Sequence, residues 1–142
     1  MCRSLEQRFP CRSESVTDAR RAVAHVLAEW GVGAPDPAAV SADDLVLAAS
    51  ELSANAAKSD SCEFLLVLNA HRTYIELCVR DHDPHPARMQ PANCDVAGGR
   101  GLRIVAALCS GWGQTPHDGS TKSVWCRFDV PPGSVLGRGC RL

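Results

Sequence analysis

From Ser41 to Lys58 the apolar residues fall where only a helix brings them together. With Leu45 at zero and about 100° per residue, Ala49, Leu52 and Ala56 lie within about 40° of it and Ala48 within about 60°. That is an apolar stripe needing a partner surface. Ser41, with Asp44 three residues on, reads as its N-cap, and the helix is expected to end near Ser59-Asp60. Glu51 and Asn55, one turn apart, stand about 80–120° to one side of the stripe, with Lys58 and Asp44 near them. A carboxylate and a carboxamide at the edge of a buried stripe can reach into a cleft and hold a metal ion and a water. Alone, the pair reads equally as the solvated side of an amphipathic helix.

The neighbouring segments say what that stripe packs against. Leu5 to Pro10 reads as a short strand. Val16, Ala19, Val23, Val26, Leu27 and Trp30 recur at helical spacing, with Ser15 and Asp18 resembling a capping box and Gly31 or Gly33 as the stop. Glu63–Ala70 and Tyr74–Asp81 are strands joined by His71-Arg72-Thr73, the pattern of a hairpin. His82 to Gly99 contains Pro84, Pro86 and Pro91 without periodicity and reads as a long functional loop. Helical spacing returns from Gly101 through Leu102, Val105, Ala106 and Cys109, ended by Gly111. Trp112 to Thr115 and Lys122 to Val130 read as strands, the second with strict alternation. Helices alternating with hairpins predict an α+β fold: a two-layer sandwich whose mixed, mainly antiparallel sheet is covered on one face by helices. The domain is expected to span residues 1–132, with 133–142 as a tail.

Composition narrows the function. The chain has 142 residues, enough for one substantial core, and a net charge of -1 argues against general electrostatic binding to nucleic acid. No stretch approaches the ~18 continuous apolar residues of a membrane span. The first residues lack the apolar core of a signal peptide, so a cytoplasmic location is expected. The eight cysteines form no C-x-x-C pair. Cys78, Cys109 and Cys126 are expected to be small core residues, and Cys2, Cys11, Cys94 and Cys140 exposed thiols. A cysteine-based redox switch is therefore one reading to carry forward.

Three further places can carry chemistry. Gly98-Gly99-Arg100-Gly101-Leu102 leads from the loop into a helix, where backbone N–H groups can approach an anion and Arg100 can add a forked charge; the alternative is a plain turn. Asp81, at a strand end, can accept from an exocyclic amine in an apolar pocket, or can simply be a turn aspartate. His82 and His85, beside Asp81 and Asp83, make a passable metal-ligand cluster that lacks a second half. Gly119-Ser120-Thr121-Lys122 alone would be a hairpin turn.

In this order, from roughly Phe9 to Val130, the pieces resemble the histidine-kinase-like ATPases, and most nearly the bacterial anti-sigma-factor type of serine/threonine kinase. The matching blocks are Glu51-Leu52-Ser53-Ala54-Asn55-Ala56, Val79-Arg80-Asp81 with Pro86, Gly99-Arg100-Gly101-Leu102-Arg103-Ile104-Val105, and Trp112-Gly113 through Gly119 to Lys122-Ser123-Val124-Trp125. The resemblance implies a Bergerat-type nucleotide fold binding ATP with Mg2+. Asn55 would ligate Mg2+ and Glu51 would be the general base. Asp81 would recognise the adenine amino group, and residues 82–98 would form the lid. Gly99, Gly101 and Leu102 would pack against phosphate, with Arg100 or Lys122 adding charge. Asp83 and His85 stand where the usual pattern has glycines, Ser59 stands where histidine is common, and Arg100 is offset from the usual lid arginine. The implied activity is phosphorylation of a small anti-sigma-factor antagonist, with sequestration of a sigma factor and a homodimeric state. The rival reading is a nucleotide-binding module that has lost transfer and acts by protein binding.

Overall fold

A computed structural model describes residues 3–33, 40–58, 62–82 and 101–131. Its elements run β1 (Arg3–Pro10), α1 (Glu14–Glu29), α2 (Ala42–Ala57), β2 (Glu63–Ala70), β3 (Tyr74–Asp81), α3 (Gly101–Leu108), β4 (Gly111–His117) and β5 (Thr121–Asp129). The strands form one sheet in the order β1-β2-β3-β5-β4. Every described pairing is antiparallel, so the expected α+β sandwich holds and its sheet has no parallel pair among the described residues.

Alternation decides which face is core. Phe64, Leu66, Leu68 and Ala70 of β2 are buried, and so are Ile75, Leu77, Val79 and Asp81 of β3. The register sets Leu66 against Val79 and Leu68 against Leu77, then Val79 against Val124 and Leu77 against Cys126. All of these side chains therefore share one face, and the three helices lie on it. The α2 stripe of Leu45, Ala48, Ala49, Leu52 and Ala56 is buried as expected. Its alanines let α2 sit close to the sheet, with α1 and α3 packed on either side of it.

Local signals set the helix ends. Ser41 Oγ accepts from the Asp44 N–H at 3.2 Å, the predicted cap, and α2 closes at Lys58. The cap of α1 differs from expectation. Ser13 is its N-cap and makes no side-chain bond, while Ser15 is buried and its hydroxyl donates to the Pro10 carbonyl at 2.6 Å. A tie to the strand end thus takes the hydroxyl that a capping box would have used. At the other end Gly31 has φ 75°. The N–H of Val32 donates to the Leu27 carbonyl and that of Gly31 to Ala28, the paired bonds of a Schellman motif.

The other sheet face is open and polar-aromatic. Arg127 lies over the rings of Tyr74 (4.7 Å) and Trp125 (5.3 Å), and its Nε donates to Glu76 at 2.7 Å. Trp125 covers Gly113 so closely that a Cβ there would meet the ring at 2.6 Å. Cys78 belongs to this face and is half-buried, correcting its expected place in the core; Cys126, one register row away on the helix side, is buried. The described cysteines are free thiols. Asp118 and Gly119 both take positive φ between β4 and β5, the left-handed geometry of a tight hairpin turn. The tail expected at 133–142 lies outside the described residues, as do Cys2, Cys94 and Cys140.

Candidate functional site

The candidate residues fall into two groups, one where the side of α2 meets the start of α3 and one where β3 and β5 pair. Glu51 and Asn55 are half-buried, one turn apart on the flank of α2. They are neither core residues nor solvated ones, as expected of side chains at a cleft edge. Gly101, the first residue of α3, is buried, and a Cβ on it would come within 2.9 Å of Glu51 Oε2. Glycine is therefore what lets the carboxylate rest against the helix start, where backbone N–H groups without intrahelical partners favour negative charge. Leu102 and Val105 are buried beneath this contact and anchor α3.

Asp81 and Lys122 face each other directly in the β3–β5 register, on the helix side of the sheet. Lys122 Nζ stands 3.1 Å from Asp81 Oδ1, and the two side chains are only 6% and 2% exposed. Both make further interactions, so neither charge is bare. The sequence named each residue separately but gave no sign of the pairing. It depends on β5 crossing to lie beside β3, which no local pattern encodes.

Gly99 and Arg100 lie outside the described residues, as do Ser59, Asp83, His85, Pro86 and the predicted lid from 83 to 98. The expectations resting on them carry over unchanged. Among the described residues no three His, Cys, Asp or Glu side chains gather to hold a metal ion. The donor set still suits Mg2+, which takes few protein ligands and completes its octahedron with phosphate oxygens and water. A single carboxamide at Asn55 is such a partial set, which leaves the Glu51 carboxylate beside it for proton transfer.

A recess of about 170 Å³ opens among Arg8, Glu63, Phe64, Leu65, Arg80, His82 and Thr121. It is smaller than the ~300–1,000 Å³ of ordinary ligand pockets, and Arg80 and His82 point to the opposite side of β3 from Asp81. The sequence also gave no hint of the hydrogen bond between His117 Nε2 and Ser123 Oγ (2.8 Å) beside it. Only the β4–β5 register brings those two side chains together.

An α+β fold of one antiparallel five-stranded sheet covered by three helices is the architecture of a histidine-kinase-like ATPase. Residues 9–121 match the histidine kinase-like ATPase domain, and the chain belongs to that family. It is thus an ATP-binding domain of the regulatory, kinase-like kind, in which ATP is typically held with Mg2+. No curated protein matches the chain. No helix among the described residues is long and apolar enough to cross a membrane.

Proposed function

We propose that this protein is a serine/threonine protein kinase of the anti-sigma type. It would transfer the γ-phosphoryl of ATP to a serine of a small antagonist protein and, as a cytoplasmic homodimer, sequester a sigma factor. The observation that carries the reading is the Glu51 carboxylate seated on the glycine that opens α3, with Asn55 one turn beyond.

In this reading Asn55 holds Mg2+, which supplies charge neutralisation along the triphosphate. Asp81 accepts from the amino group of the base. The N–H groups at Gly101 and Leu102 would face the phosphates, and Gly99 and Arg100 would serve there as the family resemblance implies. Glu51 accepts the proton of the serine hydroxyl as its oxygen bonds to the γ-phosphorus and the bond to the β-phosphate oxygen breaks. Phosphoryl transfer depends mainly on such positioning and charge neutralisation, so a short list of side chains is sufficient.

Two measurements test it. Calorimetric titration with ATP should show binding that tightens with Mg2+. Incubation with a candidate antagonist and ATP should then yield phosphoserine on the antagonist. Glu51→Ala should lower the transfer rate by about 10²–10⁴-fold, the usual worth of a general base, with ATP affinity changed only a few-fold. Mg-ATP binding without any phosphoserine would reject the kinase and leave a nucleotide-controlled binding module.

A further inference from the structure

The recess at the open end of the β2–β3 hairpin owes its walls to strand register. Arg8 of β1, Leu65 of β2 and Arg80 of β3 stand in one row across the sheet. Side chains in such a row share a face, so both arginines rise from the open side of the sheet, one on each side of Leu65. Their Cα atoms are two strand spacings apart, about 9–10 Å, and two side chains of that length can converge above the half-buried leucine. Buried Thr121 and exposed His82, two residues past Arg80, belong to the same lining.

The arginines of this face differ in what they hold. Arg127 Nε donates to Glu76 at 2.7 Å, and Arg8 Nη1 donates to Glu63 Oε1 at 3.1 Å. Arg80 is exposed and makes no hydrogen bond or ion pair among the described residues. A guanidinium carries five N–H donors in a fixed fork, so Arg8 also keeps donors beyond the one that meets Glu63. Arg8 and Arg80 together outweigh Glu63, the single carboxylate of the lining, and His82 can add a ring N–H. The recess is therefore built to receive an anion. Its volume of about 170 Å³ suits one compact group. A carboxylate lies in one plane and is satisfied by one fork, whereas a phosphoryl group presents three oxygens and can take a fork from each side.

We infer that this recess is a binding site for phosphomonoesters, with Arg80 as its principal ligand and Arg8 as the second. Inorganic phosphate and a phosphorylated side chain of a protein partner share that chemistry. The site uses none of Glu51, Asn55 or Asp81, so it stands apart from the kinase reading.

NMR on the isotope-labelled intact chain tests it. The amide shifts of Leu65, Arg80 and Thr121 are followed at constant ionic strength during titration with inorganic phosphate, a short phosphoserine peptide, its serine counterpart, and acetate. Both phosphate probes should move these amides to saturation. Acetate should need at least about tenfold more, and the serine peptide should leave them in place. Arg80→Met should weaken phosphate at least about tenfold, the worth of one charge-assisted hydrogen bond. Arg72→Met removes the same charge from the turn at the far end of the hairpin and should leave the affinity within about twofold, since salt screens so distant a charge. The comparison of phosphate with acetate needs no variant to fold. A phosphopeptide that binds more tightly than inorganic phosphate assigns the site to protein-borne phosphate, and one that binds no more tightly assigns it to the free ion. Absence of a saturating shift with either phosphate probe, acetate as effective as phosphate, or equal losses in the Arg80 and Arg72 variants overturns the inference, and none of these outcomes bears on ATP binding.

Discussion

At the scale of single residues, the contact between Glu51 and Gly101 separates stability from function. The atom that a Cβ at Gly101 would strike is the far end of a flexible side chain, so the carboxylate can swing away at little cost. Gly101→Ala should therefore change stability by less than about 1 kcal/mol, the range of ordinary substitutions away from the core, yet lower phosphoryl transfer more than tenfold. Thermal melts and a transfer assay on the same preparation check both halves. Asp81 and Lys122 predict the opposite balance. Removing one partner of a buried pair takes away part of the compensation of the other charge, so Lys122→Met should cost up to about 3–5 kcal/mol without nucleotide, whereas the double change Asp81→Leu with Lys122→Met should recover part of it. Urea unfolding of the three proteins decides this. Neither the pair nor its coupling could be read from the chain, because residues 81 and 122 meet only through the strand order.

Elements were legible to the extent that their signals are local. The hairpin Glu63–Ala70 and Tyr74–Asp81 was readable to the residue, since two apolar runs joined by a three-residue turn leave little choice. The α2 stripe and its Ser41 cap were equally plain. Ser15 misled because S-x-x-D satisfies the capping pattern, while the Pro10 carbonyl, near only once β1 and α1 fold together, claims its hydroxyl. Cys78 misled for another reason: an apolar run shows that a strand is buried without showing which parity faces the helices. The packing of Gly113 in β4 could not be read either. Gly113 lies opposite Trp125, and the indole occupies the space where a side chain would stand. Gly113→Ala should push the ring off and cost about 1–3 kcal/mol, as overpacking does. A shift in tryptophan emission together with a lower melting temperature would register it. An unchanged emission spectrum with full stability would contradict this packing.

The whole molecule carries a dependence on pH through its thiols. Burial pushes Cys78, Cys109 and Cys126 above the usual thiol range, Cys126 most strongly. In each case the folded state holds the proton more tightly than the unfolded chain. The stability this confers is complete below the unfolded-state value near 9.0 and is lost as pH rises through the folded values. The melting temperature should be level between about pH 7 and 8.5 and fall above about 9, with a shallower fall in Cys126→Ala. Melts across that range provide the check.

The rims of the sheet have a consequence of their own. β1 bears Arg3, Glu6 and Arg8 and finishes at Pro10, while β4 holds Pro116, which has no amide hydrogen to offer a newcomer. Each margin thus discourages a stray extended chain from adding on. Both described margins are therefore poor templates for fibre growth between copies of the chain.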